Sequence, residues 1–314
     1  MDIYESLEDI PFNPETYLTI GTYDGVHLGH RLILEKLVAE SKNLNKRDLV
    51  ITFDPHPQIV LKKVDKPELF LLTTIKERLY LLKKFGINNV LIIPFSWEFS
   101  HIEAEEFLEE LLIKKIGLEK IFIGYDHSFG RNRRGNAELL QNLCNNRYEI
   151  EQIPPFTYNN EIVSSTVIRN SLKSGNIEKA NAMLGYDYFV HGKVIFGRGM
   201  GVNLGFPTAN IKPENIHKLL PSYGVYIVYS IIDGVKYYGM ANIGVRPTLT
   251  NDIKPTLEAH YLDFNGDLYD QELIVFFLHR IRQELKFPNA DLLIERMQED
   301  EEYTRNYIFE HNYI

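Results

Sequence analysis

The sequence predicts an α/β protein in two parts: an N-terminal doubly wound parallel sheet and a C-terminal antiparallel β-barrel with a closing helix. Three observations carry this expectation. In the first half, apolar strand-like runs alternate with amphipathic helical patterns, which requires a parallel sheet covered on both faces. Near Leu184 to Tyr188 the pattern changes to short segments rich in Val, Ile, Tyr and Phe, separated by turn dipeptides. The length of 314 residues accommodates two domains at roughly 150 residues each. The expected domains are 1–185 and 186–314.

Five runs read as strands of the first part: Tyr17 to Thr22, Leu49 to Phe53, Val90 to Pro94, Ile121 to Gly124 and Tyr148 to Ile153. Between them Leu28 to Ser41, Thr74 to Phe85, Glu103 to Ile116 and Ala137 to Asn145 carry helical spacing. Thr74 with Glu77, and Ser100 with Glu103, have the separation of a capping box, and Gly86 and Gly117 stand where a helix would stop. In the second part, Asp233-Gly234 and Asn265-Gly266 predict tight hairpins, and Leu273 to Arg282 predicts a long strand. The polar tail from Asn289 to about Phe309 has apolar residues at helical spacing and predicts one closing helix. The short strands fit a barrel, with a sandwich as the alternative. No internal repeat or low-complexity linker separates the halves.

Composition narrows the function classes. Lys plus Arg number 34 against 43 Asp plus Glu, and the resulting net charge of −9 argues against a protein that coats nucleic acid. One cysteine, Cys144, excludes an internal disulfide, and with no Cys/His cluster beside it a thiolate zinc site is not expected. The opening MDIYESLEDI is acidic where a secretory signal would be basic, and no apolar run approaches the ~18 residues of a membrane span. A cytoplasmic protein with no membrane or nucleic-acid partner is expected. Oligomeric state is not legible.

The run Gly21-Thr22-Tyr23-Asp24-Gly25-Val26-His27-Leu28-Gly29-His30 is a strand end that feeds a helix through a glycine-bearing turn. Gly21 and Gly25 let backbone approach a ligand, and the helix start offers free N–H groups and a positive dipole end to an anion. His27 and His30, three apart in the first turn, can converge on one phosphate and stabilise charge that builds up in phosphoryl or nucleotidyl transfer. Capping or surface histidines are the alternative, and a metal pair lacks a third ligand. Ser164, Ser165 and Thr166 sit at another helix start where hydroxyls and amides can hold phosphate, and Arg169 adds permanent charge for a leaving pyrophosphate. A plain N-cap and a solvated ion pair explain them equally well. Arg131, Arg133 and Arg134, between Gly130 and Gly135, form a basic lip or a solvated loop.

The Gly-x-x-His context resembles the HxGH loop of the nucleotidyltransferase superfamily. With Thr52-Phe53-Asp54-Pro55-His56-Pro57, Gly124-Tyr125-Asp126-His127-Ser128-Phe129-Gly130 and Ser164-Ser165-Thr166-Val167-Ile168-Arg169, it resembles the adenylyltransferase module of the bifunctional riboflavin kinase/FAD synthetases. The resemblance implies that both histidines contact ATP phosphates and that Asp126 and Phe129 lie at the flavin and adenine end of the site. Two positions depart from the family: many members have an aromatic where His127 stands and an arginine where Val167 stands. Reduced or altered binding at that site is therefore expected.

The second half carries Gly197-Arg198-Gly199-Met200-Gly201-Val202-Asn203-Leu204-Gly205-Phe206-Pro207-Thr208-Ala209-Asn210. It is not a P-loop, since GxxxxGK[ST] occurs nowhere, and a turn-rich barrel edge also accounts for its glycines. Gly-Phe-Pro-Thr-Ala-Asn resembles the flavokinase motif, which implies an ATP site over Gly197, Gly199, Gly201, Gly205 and Pro207, with Thr208 and Asn210 holding ATP-bound Mg2+. Hard oxygen donors suit that ion. Asn242 to Thr248 and Leu257 to Phe264 extend the likeness, which implies that Glu258 is the catalytic glutamate. A solvent-facing carboxylate is the composition-based alternative. The matches span about residues 15 to 290. They imply an enzyme that phosphorylates riboflavin to FMN with ATP and then joins FMN to AMP, releasing pyrophosphate. The rivals are a monofunctional kinase with an impaired adenylyltransferase module, a tRNA-synthetase-like enzyme, and a non-enzymatic flavin-binding regulator.

Overall fold

The structure is a computed structural model that describes residues 1–62, 67–197, 205–245 and 255–312, with the Arg133 side chain outside the description. The chain divides into two compact units, Met1–Ser165 and Thr166–Ile314.

The first unit is a six-stranded sheet whose neighbours all run parallel, in the order β1-β4-β3-β2-β5-β6. Its strands are β1 (Asp2–Tyr4), β2 (Thr16–Ile20), β3 (Arg47–Asp54), β4 (Asn89–Pro94), β5 (Leu118–Gly124) and β6 (Glu149–Ile153). The chain winds from β2 through β3 to β4, then returns to the other side of β2 for β5 and β6, so β2 and β5 flank the point where the winding reverses. In such sheets ligands bind in the crevice outside the carboxyl ends at that point. The helices of this unit are α1 (Leu28–Leu44), a single turn α2 (Pro57–Val60), α3 (Ile75–Lys84), α4 (Ala104–Glu106) and α5 (Ala137–Cys144). Leu18, Ile51, Leu91, Ile121 and Leu112 are fully buried members of one core, and the central runs of β3, β4 and β5 read as near-continuous apolar stretches rather than alternating ones.

The punctuation of α3 is as expected: the Thr74 side chain caps Glu77 N while the Glu77 carboxylate accepts from Thr74 N, and Gly86 follows at φ +87°. Two local expectations need correction, and one strand was not expected. Residues 103–116 do not form one α-helix, because after α4 the chain widens into a π-helix, Phe107–Ile116, closed by Gly117 N donating to Leu112 O. The capping box at Ser100 and Glu103 is absent: Ser100 Oγ donates to Trp97 O, and Glu103 itself is the N-cap without a side-chain bond. The strand β1 was not expected, since three residues carry no periodicity.

The second unit begins in α6 (Ser165–Ser174) and α7 (Ile177–Leu184), which precede a closed antiparallel barrel of order β10-β13-β12-β11-β14-β9. Its strands are β9 (Phe189–Ile195), β10 (Ala209–Pro213), β11 (Gly224–Ile232), β12 (Val235–Val245), β13 (Pro255–Tyr261) and β14 (Glu272–Arg282), after a small hairpin β7 (Thr157–Tyr158) and β8 (Glu161–Ile162) in the first unit. Asp233 and Gly234, both at positive φ, turn β11 into β12 as predicted. Asn265-Gly266 does not make a hairpin: β13 pairs with β10 and β12 while β14 pairs with β9 and β11, so the residues between them connect strands that are not neighbours. The closing helix α8 (Ala290–Glu310) is capped by Asn289 Oδ1 on Leu292 N, as the tail predicted. It is pinned to β14 by a bidentate pair, Arg282 Nε and Nη2 to Asp300 at 2.6–3.0 Å, with Asp300 only 2% exposed.

Candidate active sites

At the carboxyl end of β2, Gly21 to Val26 form the turn that leads into α1. Tyr23, Gly25 and Val26 all take positive φ, at +48°, +83° and +34°. For a β-branched residue such as Val26 that is a strained backbone, of order 1–3 kcal/mol, which persists only where surrounding contacts impose it. Those contacts are present. The buried Asp24 carboxylate accepts from Leu72 N at 3.2 Å and Thr73 N at 2.9 Å, and Gly25 N donates to Thr73 Oγ1 at 2.9 Å. Ser165 Oγ donates to Asp24 O at 2.9 Å.

His27 is the N-cap of α1, and its Nδ1 accepts from His30 N, so the proton of the neutral ring resides on Nε2. The His27 and His30 rings stack with centroids 3.7 Å apart and planes 17° from parallel, while Tyr23 meets His30 edge-on at 5.0 Å. His30 as a residue is half-buried, and its Nδ1 is sealed from solvent with no partner among the described residues. Burial, then the neighbouring His27, then the Arg78 charge hold its pKa well below the usual histidine value, so the ring is neutral at pH 7. A side chain added at Gly29 would meet His27 Nδ1 at 3.2 Å, which is tighter than ordinary contact.

The loop after β5, the strand next to β2, carries the exposed Asp126 and the buried Phe129. Phe129 and Gly135 exchange backbone hydrogen bonds, and the Phe129 ring fills the space a Gly135 side chain would need. Phe53, Phe95, Phe99, Phe107, Phe129 and His127 form an unbroken series of ring contacts at 5.6–6.1 Å beside the same strand ends. Of the loop arginines, Arg131 pairs with Glu103 at 2.9 Å and Arg134 is exposed. Ser164 and Ser165 close the first unit, whereas Thr166, Val167 and Arg169 lie on α6 in the second. Ser165 and Arg169, four residues apart, share one face of that helix.

In the barrel, strand register does what sequence could not show. Asn210 on β10 pairs directly with Glu258 on β13, and Glu258 pairs on its other side with Asn242 on β12. Directly opposed residues have Cβ atoms about 4.5–5.5 Å apart, so the two amides flank the carboxylate on one face. Burial alternates along β13: Leu257, Ala259 and Tyr261 are buried inside the barrel, whereas Thr256, Glu258 and His260 are half-exposed. The outer face also carries Met240, packed with Phe206 and Val225 against Ile294 and Met297 of α8. His260 Nδ1 bonds Pro207 O at 2.8 Å, and half-buried Thr208 leads into β10. Gly197 backs directly onto the Asn210 amide, where a Cβ would lie 2.1 Å from Nδ2. Gly205 turns at φ +82°. Gly199 and Gly201 lie outside the described residues, as do Arg246 to Thr248.

The residues that sequence reading missed are Asn242, Thr73 and Arg78. Asn242 stood in a quoted motif, but only register makes it a neighbour of Glu258. Thr73 and Arg78 belong to α3 and its approach, where the capping box was the visible signal.

A parallel sheet with a histidine pair at its switch point, joined to a barrel bearing an amide–carboxylate–amide row, defines a two-part nucleotide-dependent transferase. Comparison with known proteins agrees. The family model described as FAD synthetase matches residues 9–167, and that described as riboflavin kinase matches residues 184–308. The bifunctional riboflavin kinase/FMN adenylyltransferase of Listeria monocytogenes serovar 1/2a is 34% identical, over 92% of this chain and 91% of its own. The protein of the same name from Escherichia coli (strain K12) is 35% identical, over 92% of each chain. A solved structure from Streptococcus pneumoniae, described as a macrolide-efflux protein, superposes with a TM-score of 0.86 at 30% identity, covering 97% of this chain and 98% of that one. The chain belongs to the bifunctional riboflavin kinase/FMN adenylyltransferase family. Such enzymes are ATP-dependent and generally need a divalent metal ion. Among the described residues, no helix is long and apolar enough to cross a membrane.

Proposed function

We propose that the two activities, riboflavin to FMN and FMN to FAD, run at separate sites: adenylyl transfer within residues 1–185 at the His27/His30 turn, and phosphoryl transfer within 186–314 at Glu258. The observation that carries this reading is the pair of unlike constellations, a histidine pair on a helix N-terminus and a carboxylate between two amides.

In adenylyl transfer an oxygen of the FMN phosphate attacks the α-phosphorus of ATP, and the bond to the β-phosphate oxygen breaks to release pyrophosphate. The nucleophile is already an anion, so no base is needed and the work is positioning and charge neutralisation. His27 Nε2–H, a neutral His30 and the α1 amides face the triphosphate, Ser164, Ser165 and Thr166 add donors, and Arg169 takes the leaving pyrophosphate. Gly21, Asp24 and Gly25 keep the turn in shape. The aromatic series that runs through Phe129 to His127, with Asp126 next to it in sequence, offers an apolar wall to a planar ring.

In the kinase site, Glu258 accepts the proton of the terminal ribityl hydroxyl as the hydroxyl oxygen attacks the γ-phosphorus, and the bond from that phosphorus to the β–γ bridging oxygen breaks to release ADP. Gly197, Gly199, Gly201, Gly205 and Pro207 shape the ATP loop, and Asn242 orients Glu258 from the neighbouring strand. Thr208 and Asn210 supply hydroxyl and amide oxygens, a donor set that fits Mg2+. When bound there, Mg2+ neutralises developing charge on the transferred phosphoryl group. Free ATP and Mg2+ as reactants suit a cytoplasmic enzyme.

The test is the fate of label. With riboflavin and γ-labelled ATP, label should enter FMN; with FMN and α-labelled ATP, it should enter FAD. Transfer of α-label into FMN, or no α-label in FAD, would overturn the assignment.

A further inference from the structure

Arg78 is a buried, permanently charged side chain that neither transfer step uses. It is 1% exposed, on the first turns of α3. Its Nη1 donates to Thr52 Oγ1 at 2.8 Å and to Phe53 O at 3.0 Å, while its Nε is sealed without a partner among the described residues. No carboxylate of the described residues forms an ion pair with it; Asp24 and Asp54 act on it only at longer range. An unpaired buried guanidinium is expensive to keep, and Met or Leu would fill the space without that penalty.

What the guanidinium holds is legible from the next bond. Thr52 Oγ1, having accepted from Arg78, donates to Thr22 O at 3.3 Å, at the entrance to the turn whose Tyr23, Gly25 and Val26 are all at positive φ. The other side of that turn is held by Thr73, which receives Gly25 N and gives its own N–H to Asp24. Both anchors come from one stretch of chain, Thr73 to Arg78, and the turn between them delivers His27 and His30.

We propose that Arg78 is a positioning residue for adenylyl transfer, acting through Thr52 and Thr22 to hold the strained turn that presents His27 and His30 to the triphosphate. This rests on the reading that adenylyl transfer takes place at that turn. As a second effect, the Arg78 charge opposes protonation of His30 and so keeps the ring neutral.

The experiment measures FAD formation from FMN and ATP by the full chain carrying Arg78→Gln, Arg78→Lys, Thr52→Val, Thr52→Ser, and Arg78→Gln with Thr52→Val. Loss of the anchor should lower kcat by about tenfold or more, with KM for ATP and FMN nearly unchanged, because ground-state groups remain while their aim is lost. Thr52→Ser keeps the hydroxyl and should retain near-normal kcat, and Arg78→Lys should fall between. Since both single changes cut one chain of bonds, the double variant should be no worse than the worse single. FMN formation from riboflavin should be unaltered in all five. Should Arg78→Gln fail to fold, the contrast between Thr52→Val and Thr52→Ser decides alone. Unchanged kcat in Arg78→Gln, additive losses, or equal loss in Thr52→Ser and Thr52→Val would overturn the proposal. If instead the unaltered protein makes no FAD, or His27→Ala with His30→Ala still makes it at full rate, it is the site reading that fails.

Discussion

Gly197→Ala tests the kinase site with a single methyl group. The added Cβ would lie 2.1 Å from Asn210 Nδ2, 2.8 Å from Cγ and 3.1 Å from Oδ1. Ordinary van der Waals contact begins at about 3.4 Å, so the amide must withdraw by more than an ångström. Asn210 is only 8% exposed, has two side-chain torsions, and is flanked by Ile195 and Glu258 on the neighbouring strands, so it cannot simply rotate into solvent. A displacement of about 1 Å in a positioning group lowers rates by about 10²-fold, close to 2.7 kcal/mol in activation free energy. FMN formation from riboflavin and ATP should fall by roughly that factor. FAD formation from supplied FMN should be unchanged, since the altered residue is in the barrel unit. The assay is chromatographic separation of FMN and FAD with each substrate supplied separately. An FMN rate within threefold of the unaltered protein would refute the assignment of Asn210, and an equal fall in both products would refute the separation of sites.

Asp300→Ala strands Arg282, which is 12% exposed and bound to Asp300 through three contacts of 2.6–3.0 Å. Breaking a buried pair from one side costs about 3–5 kcal/mol, so the FMN-forming activity should be lost at a lower temperature. Fluorescence of the single tryptophan, Trp97, lies in the other unit and its transition should not move. Asp24→Asn replaces an acceptor of Leu72 and Thr73 amides with a partial donor, and should weaken the first unit by about 1–3 kcal/mol and lower FAD formation, read by urea titration and product assay. His30 has its folded pKa below the unfolded value, so below pH 6.5 the unfolded chain binds the extra proton and the first unit loses stability as pH falls. The Trp97 urea midpoint should drop between pH 7 and 5.5, and His30→Gln should flatten that drop by at most about 1.4 kcal/mol per pH unit.

Much of the fold was legible because its signals are local. The central runs of β3, β4 and β5 are apolar and buried, the edge strand β6 alternates polar and apolar residues, and Thr74, Gly86, Gly117 and Asn289 mark helix ends through their own side-chain or backbone chemistry. The misses share a different cause. The π-helix at Phe107–Ile116 is only ten residues long, too short a stretch for its wider period to be told from that of an α-helix by residue pattern. Asn265-Gly266 has hairpin chemistry, but the barrel order places β13 and β14 apart, and pairing order is a property of the whole sheet. The candidate sites divide the same way. The turn from Gly21 to His30 is contiguous and was readable. The Asn210–Glu258–Asn242 row depends on cross-strand register, and the Arg78–Thr52–Thr22 chain joins residues from α3, β3 and the turn after β2.

The most direct measurement is to supply riboflavin, ATP and Mg2+ to the pure protein, and separately FMN with ATP and Mg2+, and to follow both products in two variants. His27→Ala with His30→Ala should abolish FAD while FMN still accumulates; Glu258→Ala should abolish FMN while supplied FMN is still converted to FAD. Equal loss of both products in either variant would contradict two independent ATP sites in this chain.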